Sequence, residues 1–538
     1  MAVETGIIIT SSKQAFSLLN FSTCFVLALG SLVYGYFAGI IGTTLTKASF
    51  LSYMGLIDAD GKPTSDSAGL IGATTGVFQA GGVFGIVIAG HLADKIGRKR
   101  TSIYIGILGI ISSAIISASQ NVGMFIALRF FTGATGFAFM TVMTVYCAEL
   151  APAALRGLYV GLNGALCALG FAISSYFGVA FYNVSHEVQW RVPIALGTVF
   201  PVVLTICYLF VPESPRHLLM EGRKEASLKV MLTQHGHGDR EDFARAEFFQ
   251  MEKQAELDMN SDASWKQFYS KPSVRRRVMI AATLAFLSQS TGNLVINNYG
   301  STLWGSLGYD AYTQLCFQAG YITVSPIFNV IGSAFADYVG RRTLLFVGFS
   351  MCLFCVTVET CMISLYGAAG TNKAGLATGA AMLFLFQASY AICGDVCVFI
   401  IVSEIFPNHL RSKGAIVAYT ANALTNLVYL QVAPTAFAHI HWRFFLFFFQ
   451  LFISVTTCGL VWIYFFVPET KGVALEELAE IFGDAVAVHA ADITVDHDAH
   501  EVHLGGKHIE EDEITSTYVT ETNEPKNKAA MHMEKSQV

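Results

Sequence analysis

Asp94-Lys-Ile-Gly97-Arg98-Lys99-Arg100 is answered much later in the chain by Asp337-Tyr-Val-Gly340-Arg341-Arg342. Two more pairs follow in the same order. Glu149-Leu-Ala-Pro152-Ala-Ala-Leu-Arg156-Gly157 returns as Glu404-Ile-Phe-Pro407-Asn-His-Leu-Arg411, and Pro212-Glu213-Ser214-Pro215-Arg216 returns as Pro468-Glu469-Thr470-Lys471-Gly472. The partners are separated by 243 (94 to 337), 255 (149 to 404) and 256 (212 to 468) positions. Three motifs repeated in order at a near-constant offset predict a chain built from two related halves.

Between the motifs the sequence is written for lipid. Of 538 residues 53% are hydrophobic and only 13% charged, and the mean hydropathy is +0.52, where soluble domains run near a quarter charged. The charges cluster, leaving uncharged runs such as 21–46, 68–90 and 101–127. Such runs are long enough to cross a hydrocarbon layer of roughly 30 Å as a helix of about 20 residues. Twelve spans are expected, near 20–45, 68–92, 101–120, 123–147, 158–182, 192–211, 278–303, 313–336, 343–366, 376–402, 414–438 and 443–466. The fold class is therefore an all-α membrane protein, twelve transmembrane helices in two pseudo-symmetric six-helix bundles. Residues 1–19 are expected to be a cytosolic leading segment, 20–211 and 278–482 the two bundles, 212–277 an intracellular linker of short amphipathic helices, and 483–538 a disordered, acidic cytosolic tail.

Basic residues set the orientation. Lys95, Arg98, Lys99, Arg100, Arg156, Arg275, Arg276, Arg277, Arg341, Arg342, Arg411 and Lys413 fall after even-numbered spans, against Lys47, Lys62, Arg191, Lys373 and Arg443 opposite. That asymmetry predicts a multi-pass protein with both termini in the cytosol, and the plasma membrane is its expected location. The net charge of −6 comes mostly from the tail. The 11 cysteines lie within apolar spans without metal or disulfide spacing, and the tail histidines are irregularly placed, so neither group predicts a metal site.

The repeated motifs place Asp94, Arg98, Glu149 and Arg156 in one ionic cluster and Asp337, Arg341, Glu404 and Arg411 in its counterpart. They are expected to act as a cytosolic gate, paired carboxylates and guanidinium groups that hold the halves closed. Marking topology alone is the competing reading.

Taken together, these motifs resemble those of the major facilitator superfamily and specifically its sugar porter family, over residues 20–482. Gln289-Ser-Thr-Gly292-Asn293 and Asp395 ahead of Ser403-Glu404-Ile-Phe-Pro407 are similar to fungal members. The resemblance implies two six-helix bundles around a central site, intracellular helices and alternating access. The expected function is secondary active or facilitative transport of a sugar or sugar-like polyol, as a proton symport if coupled, by a monomer in a lipid bilayer. An organic-acid porter for a quinate-like solute and a non-transporting nutrient sensor are the alternatives. No phosphate-binding loop, nucleophile constellation or metal spacing points to an enzyme, a cofactor or a nucleic-acid partner.

Sugar hydroxyls both donate and accept, so carboxamides stranded in apolar helices are the candidate contacts. Span seven offers Gln289, Asn293, Asn297 and Asn298, span eleven offers Asn422 and Asn426 on one helical face, and span five offers Asn163. Helix-to-helix glue is the competing role for each. By resemblance Gln289, Asn422 and Asn426 match sugar-contacting positions, whereas Gly164, Asn293 and Phe399 depart from the family pattern and weigh against a plain hexose. Proton-coupled members resemble one another in a span-one Gly-Tyr-Asp paired with a span-four arginine. Here Arg129 is kept, but Gly35-Tyr36-Phe37 lacks the acid. Asp395 in span ten and Glu359 in span nine are the remaining acids inside spans, and Asp395 is expected to be the protonation site if transport is coupled, with pairing to Arg129 as its alternative.

Overall fold

A computed structural model describes residues 16–483, except 59, 153–154, 185–186, 237–240, 260–263, 307–309, 363–364, 366–372, 441–442 and 472–477, together with 493–496 and 501–504. Ten helices among the described residues are long and apolar enough to cross a membrane. Two more, Arg411–Ile440 and Arg443–Phe466, complete twelve spans. Several run past the expected ends, as in Leu18–Thr44, Ser67–Ile96, Val122–Leu150 and Ala311–Val339. Sequence hydropathy marks only the lipid-crossing part of a helix, and at 1.5 Å per residue these continue into the polar zone on either side. Side chains fix some starts: the Asn121 carboxamide accepts from the backbone N–H of Met124 at 2.8 Å, and the Asp310 carboxylate accepts from that of Thr313 at 3.3 Å.

Within each half the helices approach closely at glycine. A Cβ on Gly35 would lie 1.9 Å from the Cys167 carbonyl oxygen, and one on Gly170 would lie 2.2 Å from that of Leu32, so spans one and five meet backbone to backbone. The halves meet along two seams, span two against span eleven and span five against span eight. Exchanging the halves exchanges the seams, which is the pseudo-symmetry that the motif offsets predict.

Among the described residues three spans are interrupted. Span six divides into Val188–Leu196 and Val199–Tyr208. Span seven divides into Pro272–Gln289 and Asn293–Ser306, with Gly292 at φ 91°. Span ten runs Lys373–Tyr390, passes through a π-helical turn at Ala391–Asp395 and resumes as Val396–Glu404. Breaks inside a membrane helix are tolerated where the backbone faces protein or a cavity, and the last two border the central cavity described below.

The linker forms helices Pro215–Met220, Lys224–His235 and Glu241–Met259, packed through Leu219, Met231, Phe248, Met251 and Ala255. The tail departs from the expectation of disorder at one place. Ile493–Asp496 and Glu501–Leu504 pair as antiparallel strands, Ile493 opposite Leu504, and lie against Glu241–Met259. Ile-Thr-Val-Asp and Glu-Val-His-Leu alternate apolar with polar residues, a period-two pattern that the acidic composition hides. The rest of the tail lies outside the described residues.

His235 ties the linker to span four. Its Nε2 lies 2.9 Å from the Leu150 carbonyl oxygen and its Nδ1 2.8 Å from Glu247 Oε2, so both ring nitrogens face acceptors and the ring is held as an imidazolium. Burial alone would lower the histidine pKa, and Arg156 also opposes the proton. The Glu247 charge and hydrogen bond, with the Leu150 carbonyl, outweigh both and raise it above 6.5. Burial would raise Glu247, but His235 first, then Arg156 and Arg216, bring it below 4.5. The histidine contribution is complete below pH 6.5 and is lost as pH rises through the raised value. The glutamate contribution is complete above pH 4.5 and is lost as pH falls through the depressed one. Hydrogen exchange of the Lys224–His235 amides, corrected for its intrinsic pH dependence, should be slowest between about pH 4.5 and 6.5 and speed up on the alkaline side. His235→Gln should abolish that alkaline rise, and a profile indifferent to this substitution would contradict the assignment.

Candidate functional site: a cavity between the halves and ionic clusters at one end

A cavity of about 70 Å³ lies between the two halves, bounded by spans one, four, five, seven, eight, ten and eleven. Of the sequence candidates, Gln289, Asn293, Asn422 and Asp395 line it, as does Asn297. Asn298 and Asn426 do not. The Asn298 amide donates to the Leu294 carbonyl at 3.0 Å, and that of Asn426 donates to Asn422 Oδ1 at 2.9 Å, so Asn426 holds Asn422 from behind. Asn163 is turned away from the cavity: it accepts from the Ser31 hydroxyl at 3.0 Å and joins spans five and one, while its neighbour Gly164 reaches the lining. One residue is roughly 100° of helix, enough to exchange a cavity face for a helix seam.

Sequence reasoning passed over Ser325 and Gln387, which line the same cavity. Both are polar residues in apolar runs, the signal that picked out the asparagines. The Gln387 amide donates to Ser325 Oγ at 3.0 Å, Ser325 Oγ donates to Asp395 Oδ2 at 3.4 Å, and the Asn329 amide reaches the same oxygen at 3.4 Å. Asp395 ends the π-helical turn of span ten, which presents its carboxylate to this network. The turn itself has no signature in the sequence.

Asp395 and Arg129 make no ion pair. The Arg129 guanidinium instead donates to the Phe37 carbonyl at 2.7 Å and the Thr74 carbonyl at 3.1 Å, and lies 4.2 Å from the centre of the Phe78 ring. Backbone carbonyls and an aromatic face thus take the place of the missing span-one acid. Glu359 is 1% exposed, away from the cavity, with no hydrogen-bond partner for either oxygen among the described residues.

Contacts between the halves flank the cavity at both ends. On one side Thr75 Oγ1 of the first half lies 2.9 Å from the Tyr299 hydroxyl of the second, which itself donates to the Leu430 carbonyl within its own half at 3.0 Å. On the other, Arg98 Nη2 reaches Ser412 Oγ at 3.5 Å. That second end holds the ionic clusters. Arg98 contacts Glu149 at 2.9 Å and Asp94 at 3.4 Å, and Ser214 donates to Glu149 at 2.5 Å. Arg341 contacts Glu404 at 3.4 Å, and Thr470 donates to Glu404 at 3.2 Å. The side chain of Asp337 lies outside the described residues. Arg156 and Arg411 are both buried, Arg156 beside the His235–Glu247 pair and Arg411 within electrostatic range of Glu149 in the opposite half.

The third repeated motif explains the glycine of the first. Glu213 accepts from the backbone N–H of Arg98 and Lys99 at 2.9 and 3.2 Å, and Glu469 accepts from those of Arg341 and Arg342 at 2.8 and 3.1 Å. Each carboxylate caps the positive end of the next helix. The preceding Gly97 and Gly340 sit at φ 94° and 98°, and a Cβ there would come within 2.3 and 2.5 Å of the capping carboxylate.

Residues 23–482 match the family described as "Sugar (and other) transporter". The chain belongs to this family. It is a multi-pass membrane transporter of the major facilitator fold. An MFS-type transporter, criB, of Aspergillus cristatus is 29% identical over 87% of this chain and 94% of its own length. The arabinose-proton symporter of Bacillus subtilis is 28% identical over 84% of this chain and 93% of its own. Among solved structures, the proton:xylose symporter XylE bound to 6-bromo-6-deoxy-D-glucose superposes with a TM-score of 0.74 at 22% identity, covering 86% of this chain and 99% of that one.

If the two caps are duplicates, their removal should act alike. Glu213→Ala and Glu469→Ala should each lower stability by about 1–3 kcal/mol, the range for leaving a buried donor unsatisfied, as read from denaturant unfolding in detergent micelles. A loss confined to one half would contradict the equivalence.

Proposed function

We propose that the protein moves a neutral, hydroxyl-rich solute, a sugar or polyol, across the membrane by alternating access, and that Asp395 takes up and releases the proton that couples transport to a gradient. One observation carries this reading: the cavity presents carboxamides and a single carboxyl group, with no Lys, Arg or His among its described lining residues. Carboxamides donate and accept, as sugar hydroxyls require, and the faces of Tyr34, Phe171 and Phe399 suit the C–H side of a ring. A quinate-like anion would meet the Asp395 charge with no cation to offset it, which disfavours the organic-acid alternative. The arabinose and xylose symporters among the relatives support the same solute class and coupling ion.

Gln289, Asn293 and Asn422 are the proposed contacts, with Asn297 beside them and Asn426 behind. The Arg98–Glu149 and Arg341–Glu404 pairs each lie within one half and set the ends that meet on the proposed cytosolic side, where the Arg98–Ser412 contact and the Arg411–Glu149 attraction serve as the latch between the halves. Because Arg98 also reaches Ser412, opening that side must break contacts between the halves.

Uptake of labelled glucose, xylose, myo-inositol and quinate into a transport-null host, with and without an inward proton gradient, tests the reading. A sugar or polyol should accumulate only with the gradient, and quinate should not enter. Asp395→Asn should equilibrate the solute without accumulating it. Asn422→Ala should raise the half-saturation concentration roughly tenfold, the equivalent of about one good hydrogen bond. Uphill, pH-dependent uptake by Asp395→Asn would overturn the coupling assignment.

A further inference from the structure

Asn329 is fully buried on span eight and is not part of the cavity lining. Its amide nitrogen serves two acceptors. One is the Gly164 carbonyl oxygen on span five, in the opposite half, at 3.2 Å; the other is Asp395 Oδ2 at 3.4 Å. The carbonyl fixes which way the amide points, because Oδ1 there would set oxygen against oxygen. The same side chain keeps its own acceptor in reserve: Oδ1 is buried and has no hydrogen-bond partner among the described residues. Gln387 repeats the arrangement, with its nitrogen on Ser325 and its Oε1 buried without a partner among the described residues.

Read as a set of donors, the network solvates an anion. Gln387 donates to Ser325, which leaves the serine proton free to point at Asp395, and Asn329 adds a second donor to the same oxygen. The other titratable groups facing Asp395 are Tyr34 on span one, Cys167 on span five, Tyr321 on span eight, and Tyr390 and Cys393 on its own span. These are thiols and phenols, ordinarily neutral near pH 7, so the amides and the hydroxyl do the work of counter-charge. Once a proton adds to Oδ2, the carboxyl group becomes a donor and needs an acceptor. Ser325 Oγ already accepts from Gln387, whereas Oδ1 of Asn329 is an acceptor without a partner among the described residues, on a side chain that already touches Oδ2.

Building on Asp395 as the protonation site, we infer that Asn329 is the positioning residue that converts protonation of Asp395 into separation of the halves. Turning the amide by half a rotation offers Oδ1 to the new O–H. The same turn withdraws Nδ2 from the Gly164 carbonyl and breaks a hydrogen bond that crosses the span five–span eight seam. One side chain therefore cannot satisfy both the protonated acid and the closed seam. A neutral hydrogen bond of this kind shifts a two-state equilibrium by roughly fivefold, enough to bias a carrier whose states are closely balanced.

The test needs no transported solute. Cys167 lines the cavity, and its labelling by a membrane-impermeant maleimide, mapped by peptide mass spectrometry to separate it from the exposed Cys316, Cys361 and Cys458, reports opening. In the native protein in liposomes, Cys167 labelling, divided at each pH by that of the same cysteine in Asn329→Leu to remove the pH dependence of the thiolate itself, should rise roughly fivefold as pH falls through the Asp395 titration. Asn329→Leu, similar in size but without either hydrogen-bonding group, should label faster than the native protein above the Asp395 titration, with only the pH dependence of the thiolate itself. Asn329→Ser gives the same readout should the leucine variant fail to insert. Native pH dependence retained by an inserted Asn329 variant overturns the inference. Asp395→Asn separates the two ideas: a pH response that survives in that variant removes the protonation site itself, whereas one abolished there but kept in the Asn329 variants removes only the role of Asn329.

Discussion

Hydrocarbon offers no hydrogen bonds, so every polar group that the spans carry must find its partner inside the chain or face a cavity that holds water or solute. This constraint shapes the molecule at each level. It forces the spans to be helices, sends Asn163 to Ser31 and Arg129 to the carbonyls of Phe37 and Thr74, and gathers Gln289, Asn293, Asn422, Ser325, Gln387 and Asp395 around one cavity between the halves, with the buried Glu359 standing outside the pattern. A polar residue that a soluble protein would leave in water becomes either a joint between helices or part of the site.

The end of the molecule that carries the repeated motifs obeys a different rule, because water is near. There the motifs build compact ionic knots in which each residue has one task. Glycine gives the positive φ that turns the chain, a glutamate caps the next helix, and an arginine returns to the acid at the end of span four or span ten. These knots join helices within a half more tightly than they join one half to the other, where the Arg98–Ser412 contact and the Arg411–Glu149 attraction are the described links. Strong bonds within rigid bodies and weak ones between them are what a rocking carrier requires.

Much of this was legible in the residues. The offsets between Asp94 and Asp337, and between Glu149 and Glu404, reflect a real duplication because identical chemistry at the membrane edge demands identical geometry. Stranded carboxamides marked spans seven and eleven because placing them in lipid is costly. The choice between cavity and seam was less accessible. Asn293 and Asn422 reached the cavity while Asn163, Asn298 and Asn426 did not, since a single helical step rotates a side chain from one surface to another. Ser325 and Gln387 carried the right signal, but Ser325 meets Asp395 only through the packing of span eight on span ten, and Gln387 only through the π-helical turn between it and Asp395.

By itself the sequence determined the solvent, the number of spans and the twofold plan, because hydropathy, charge asymmetry and repetition are local or periodic properties that need no neighbour to be read. Only the tertiary structure decided which polar groups meet. The π-helical turn that presents Asp395, the broken span seven, the pairing of Arg129 with backbone in place of an acid, and the Asn329 amide shared between an acid and the opposite half all arise where helices distant in sequence press together. Their geometry is set by the rotation and depth of each helix against the others, and no single segment encodes either.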